Sequence, residues 1–171
     1  MGRKNFLIEG GSGTGKTTVC HELRRRGYQA INGDRELAYQ GDPETGSPVT
    51  GVTGIAVHHH HIWDVDKVKS LIADRSEAVT FFCGGSRNFG KFIGLFDAVF
   101  VLEVDAETLA GRLDGRPRDE WGGREEERRL IERLHLTRTE IPSGAIPINA
   151  AAPLPHVVDD ILRRVQAGGR A

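Results

Sequence analysis

Five short apolar runs recur along the chain, at Asn5–Glu9, Tyr28–Asn32, Ala78–Cys83, Ala98–Glu103 and Ala145–Asn149, and each reads as a β-strand. The segments between them carry helical character. Helices are expected from Thr18 to Arg24 and at Val65–Arg75, Ala106–Leu113, Glu125–Arg138 and Leu154–Gln166. In the last of these Val157, Val158, Ile161, Leu162 and Val165 return at helical spacing, the apolar stripe of an amphipathic helix. Such alternation is the rhythm of a parallel sheet with crossover helices. It predicts a single three-layer α/β/α domain over residues 1–171, built on a five-stranded parallel sheet. Local punctuation agrees, because Gly27 follows Arg24-Arg25-Arg26, a helix stop with cations in its last turn, so the second strand should begin at once.

Two stretches break the rhythm. Residues 41–54 are rich in Gly, Pro, Ser and Thr, and residues 115–123 in Gly, Pro and charge, so both predict surface excursions. The first belongs to an insertion over about residues 34–64, the second to a lid over about 115–124 whose glycines permit movement. The tail 167–171 has no pattern to hold it and is expected to fray. The chain is long enough to bury a core, and its 23 basic and 24 acidic residues nearly cancel, so no global field draws it to nucleic acid or a membrane. No run of about 18 apolar residues is present. The start Met1-Gly2-Arg3-Lys4 leads into a strand rather than a secretory leader, so a cytoplasmic location is expected. Cys20 and Cys83 are too few for a disulfide framework or a zinc site and read as buried thiols.

Between the first strand and the first helix stands Gly10-Gly11-Ser12-Gly13-Thr14-Gly15-Lys16-Thr17, a complete G-x-x-x-x-G-K-[ST] phosphate-binding loop. Backbone amides wrap a polyphosphate only where glycine lets the chain come close. The loop predicts a nucleoside triphosphate held by Gly11, Ser12, Gly13, Thr14, Gly15, Lys16, Thr17 and Thr18. Lys16 serves the β- and γ-phosphates and the Thr17 hydroxyl takes a Mg²⁺ position, with the helix N-terminus adding partial positive charge. ATP and Mg²⁺ are the expected cofactors.

Later pieces follow in order: Ile31-Asn32-Gly33-Asp34-Arg35 after strand two, Cys83-Gly84-Gly85-Ser86-Arg87-Asn88 after strand three, Phe96–Asp105 leading to Arg112 and Arg116, then Ile148-Asn149-Ala150 and a last helix. With the phosphate loop, these make the chain resemble the nucleoside and nucleotide kinase group of P-loop proteins, which includes adenylate-kinase-like and shikimate-kinase-like enzymes. The resemblance spans nearly the whole length. It implies a small-molecule phosphotransferase, a monomer or homodimer, whose acceptor is a nucleoside or nucleotide. Two positions depart from the adenylate-kinase pattern. Gly84 stands where an aspartate follows strand three, and Leu37 where an acceptor-side arginine stands.

Phosphoryl transfer needs in-line alignment and positive charge where the transferring oxygens pass. Lys16, Arg112 and Arg116 are the candidates for that charge; the two arginines are four apart at a helix end and can share a face. Arg118, Arg124 and Arg128 either join them or pair with neighbouring carboxylates on the surface. Asp34, at the carboxyl end of strand two, either accepts the acceptor's proton and orients Mg²⁺ water or caps a helix Arg35–Tyr39. Arg87 with Asn88 emerges behind two glycines, and its planar fork fits an acceptor phosphate or carboxylate, or a structural ion pair; Arg35 is a second candidate. Consecutive residues diverge, so His58-His59-His60-His61 is not a ready metal site, although one or two can enter an acceptor pocket with Trp63. Trp63 either stacks on a flat base or packs in the core. The competing function is an NTP-binding regulatory ATPase domain without a small-molecule acceptor.

Overall fold

The structure, a computed structural model, describes residues 4–168. The strands are β1 (Lys4–Gly10), β2 (Gln29–Asn32), β3 (Ala38–Gln40), β4 (His61–Trp63), β5 (Val79–Cys83), β6 (Ala98–Glu103) and β7 (Ile146–Asn149). The helices are α1 (Lys16–Arg25), α2 (Gly33–Glu36), α3 (Ala56–His59), α4 (Val65–Ala73), α5 (Ala106–Asp114), α6 (Glu125–Thr137) and α7 (Leu154–Ala167). Five strands form one parallel sheet in the order β2-β5-β1-β6-β7. These are the five apolar runs of the sequence, each ending within one residue of its expected bounds.

Period-two alternation divides the core into two layers. On β1, Phe6 and Ile8 face a layer with Val19, Cys20 and Leu23 of α1 and Val157, Val158 and Ile161 of α7. Leu7 faces the opposite layer, where Leu37, Val68, Phe82 and Phe96 surround Trp63, whose ring lies parallel to Phe92 at 5.6 Å. Cys20 and Cys83 are both buried in the first layer, as expected of structural thiols. Aspartates start two helices: Asp64 accepts from the Lys67 amide at 3.1 Å and Asp105 from the Thr108 amide at 2.7 Å, caps worth about 1 kcal/mol each. Gly27, at φ +89°, ends α1 as expected.

The insertion differs from expectation. A helix over Arg35–Tyr39 is replaced by the short α2 and an antiparallel hairpin in which Ala38 faces Trp63 and Gln40 faces His61, while the helix expected at Val65–Arg75 is present as α4. Three-residue strands are too short to show alternation, while tertiary packing fixes them. Ile62 and Trp63 are fully buried, and a Cβ on Gly33 would fall 2.1 Å from the Trp63 ring. Residues 41–54 run over the surface, closed by a bridge between Gly41 and Pro48. Among the described residues no helix is long and apolar enough to cross a membrane. Residues 1–3, and residues 169–171 of the tail expected to fray, lie outside the described residues.

Candidate active site

β1 lies between β5 and β6, so the chain leaves its carboxyl end in opposite directions on either side, the place where open parallel sheets bind ligands. The phosphate loop occupies that crevice. Gly15 caps α1 at φ +101°, in the left-handed region, without a side-chain hydrogen bond, and the first turn of α1 contains no acidic residue. The amides of that turn are therefore open to an anion. Lys16 Nζ bonds the carbonyls of Gly10 and of Gly11, the latter at 3.1 Å, and Thr14 Oγ1 donates to Gly11 at 2.7 Å. Thr17 and Thr18 are exposed on the first turn of α1.

Beside the loop a cavity of about 340 Å³ opens, a volume suited to a small molecule. Two carboxylates stand at its floor. Asp34 Oδ1 accepts from Gly85 N at 3.3 Å and from Trp63 Nε1 at 3.4 Å, and lies 3.0 Å from His61 Nε2. Burial raises the Asp34 pKa, but the His61 hydrogen bond and the Lys16 charge outweigh it, and the carboxyl ends below its ordinary value. Glu9, last but one on β1 and 3% exposed, does the opposite. Burial lifts its pKa to about 7 against the pull of Lys16 and the Gly10 amide, which donates to its Oε1 at 3.2 Å. Two glycines make room for this pair. A Cβ on Gly84 would sit 2.7 Å from Asp34 Oδ1, and one on Gly85 2.4 Å from Glu9 Oε1.

The opposite wall is built from distant segments. Arg87 pairs through Nη1 with Glu140, which also lies 2.7 Å from His58 Nε2, and the His58 ring stacks on Trp121 at 5.9 Å. Burial raises the Glu140 pKa, yet His58 and Arg87 more than offset this and hold it at about 2. The lid segment meets the loop from outside. Arg112 donates to the Gly13 and Ala150 carbonyls at 3.1 and 2.8 Å, and Arg116 to Ser12 Oγ and the Trp121 carbonyl at 3.0 and 2.6 Å.

The AAA domain family matches residues 7–133, a span that runs from β1 through the phosphate loop and both carboxylates into α6. The chain belongs to the AAA domain family. No curated protein sequence matches it. Among solved structures, this AAA domain is similar to shikimate kinase from Acinetobacter baumannii in complex with shikimate, at TM-score 0.63 and 16% identity over 99% of this chain and 96% of that one. It is also similar to a gluconokinase from Sinorhizobium meliloti 1021, at 0.56 and 21% over 94% and 90%. A third is deoxyadenosine kinase from M. mycoides with bound dATP, at 0.50 and 14% over 94% and 98%. At these identities the likeness is one of fold: a P-loop α/β domain.

In this AAA domain Lys16, Asp34 and Arg87 border one cavity with part of the phosphate loop. Arg112 and Arg116 do share a direction, but their guanidiniums meet the loop rather than border the cavity, and Arg116 lies beyond the end of α5. Three expectations need correction. Arg35 is exposed and outside the cavity, because α2 turns it away from the crevice. Asn88 is scaffold: its Oδ1 accepts from Trp63 N and Ser86 Oγ, and its Nδ2 donates to the Trp63 carbonyl, so its amide is spent on β4. Asp34 is not a helix cap, since Asn32 holds that position. Arg128 pairs with Asp114 and Glu132 on the surface. The histidines diverge: His58 and His61 border the cavity, His60 lies 3.2 Å from the Gly41 carbonyl and His59 is exposed. Among the described residues no group of three or more His, Cys, Asp or Glu side chains is arranged to hold a metal ion. Sequence reasoning missed Glu9 and Glu140. The first carried a signal, an acidic residue closing an apolar strand immediately before the loop.

Proposed function

We propose that this AAA domain is an ATP-dependent phosphotransferase that moves the γ-phosphoryl group to a hydroxyl of a small molecule of nucleoside size. The observation that supports it is the meeting of the phosphate loop's Lys16 with an ionised, half-buried Asp34 across one cavity. The residues present fit a magnesium nucleotide. The first turn of α1 offers uncovered amides, Lys16 Nζ lies at the loop against the Gly11 carbonyl, and Thr17 is exposed beside it. When bound, Mg²⁺ supplies charge neutralisation at the phosphate oxygens.

The chain's own groups do the rest. The loop amides and Lys16 fix the phosphates, while Arg112 and Arg116 brace the loop and bring positive charge to its outer side. Asp34, oriented by His61, Trp63 and Gly85 through one oxygen, is placed to accept the acceptor's hydroxyl proton. Glu9 titrates near neutrality beside it and can take up that proton in turn. Trp121 from the lid segment and Val57 from the insertion wall the cavity with apolar surface, which excludes the water that would compete as acceptor. A regulatory domain that only binds or slowly hydrolyses nucleotide has no use for such a walled acceptor space. ADP release measured across nucleosides, nucleotides, sugars and amino alcohols tests the proposal. Release that depends on an added acceptor supports transfer; release indifferent to all of them leaves the regulatory reading.

A further inference from the structure

The far wall of the cavity carries two arginines, and both are paired with glutamates. An acceptor phosphate or carboxylate needs a guanidinium with charge to spare, and Arg35 lies outside the cavity. The two arginines that border it are matched. Arg87, its side chain 14% exposed, is paired with Glu140, and Arg138 at the rim is paired with Glu103. Lys16 belongs to the phosphate loop. Asp34 has no guanidinium partner among the described residues, and no guanidinium charge is left over on the acceptor side once Lys16 holds nucleotide.

Arg87 meets Glu140 through Nη1, and its Nε is buried out of reach of a molecule in the cavity. Glu140 is held ionised by His58 and Arg87 together, and His58 is fixed by its stack on Trp121. The carboxylate is thus a built part of the wall, tying the insertion, the lid and the segment after α6 to one guanidinium.

We infer that, given the phosphotransferase reading above, the acceptor is an uncharged polyhydroxyl compound of nucleoside size, and that Glu140 enforces this choice by neutralising Arg87. The acceptor meets Asp34 with its reacting hydroxyl. An acceptor bearing phosphate or carboxylate is refused because no guanidinium is free to compensate it.

The test is steady-state ADP release with acceptors paired by charge: nucleosides against their monophosphates, and hexoses against the matching aldonic acids. Wild type is expected to favour the neutral member by at least about tenfold in kcat/KM. Glu140→Gln keeps the shape and removes the charge, and should move the ratio toward the anionic member by about tenfold, a gain that Arg87→Ala added to it abolishes. Thermal melts of both variants establish that the ratio is read on folded protein. A wild-type preference for anionic members, or a ratio unmoved in folded Glu140→Gln, overturns the inference and leaves phosphoryl transfer standing. ADP release indifferent to every acceptor overturns both.

Discussion

Replacing Glu9 with glutamine should make the chain more stable above neutrality and remove an ionisation from its pH–rate profile. Glu9 is buried at the end of β1, and that burial raises its pKa from 4.5 to about 7 despite Lys16. A carboxyl whose folded pKa lies above its unfolded value favours the folded state while it is protonated. That advantage is complete below the unfolded value of 4.5 and is lost as pH rises through about 7. A gap of about 2.5 pH units, at about 1.4 kcal/mol each, amounts to about 3–4 kcal/mol. Glutamine matches the shape and stays neutral, so it avoids the loss. Urea unfolding of both proteins at about pH 5.5 and pH 8.5 should show the advantage of Glu9→Gln growing by about 2 kcal/mol across that window. Turnover gives a second readout: the wild-type rate rises through about pH 7, and the variant lacks that limb. A stability difference that stays constant between the two pH values refutes the assignment of the titration to Glu9.

Other substitutions separate the parts of the site. Asp34→Asn should lower kcat by roughly 10²–10⁴-fold while calorimetric nucleotide affinity changes far less, and near-wild-type turnover would remove Asp34 as proton acceptor. Asn88→Ala breaks three hydrogen bonds to Trp63 and Ser86 and should cost about 1–3 kcal/mol of stability without altering the ratio of kcat/KM between acceptors. A change in that ratio would return Asn88 to the acceptor site.

What could be read from the sequence was what is local. The phosphate loop is a contiguous motif, and the five sheet strands are apolar runs that tertiary packing reinforces rather than overrides. Arg112 and Arg116 both reach the loop, although the helix expected to carry them on one face ends at Asp114. The β3–β4 hairpin was illegible because its strands are too short for a period, and its stability comes from Trp63 against Gly33 and Phe92. The space that a Cβ on Gly84 or Gly85 would need is taken by Asp34 and Glu9, an arrangement that no local pattern announces. Recognising Glu9 required the strand register that places it with Leu7, facing away from Phe6 and Ile8, and under the turn after β5. Glu140 reaches Arg87 only through the fold, across the segment that follows α6, so no sequence spacing announces the pair.

Phosphorus NMR of the protein with ATP, Mg²⁺ and a panel of neutral hydroxyl compounds, nucleosides included, tests phosphoryl transfer most directly, because it sees the product bond. The account predicts that a phosphomonoester resonance grows as ATP declines for at least one acceptor, and that Lys16→Ala abolishes its growth. ATP converted only to ADP and inorganic phosphate across the panel, or a phosphomonoester still formed at the wild-type rate by Lys16→Ala, would contradict it.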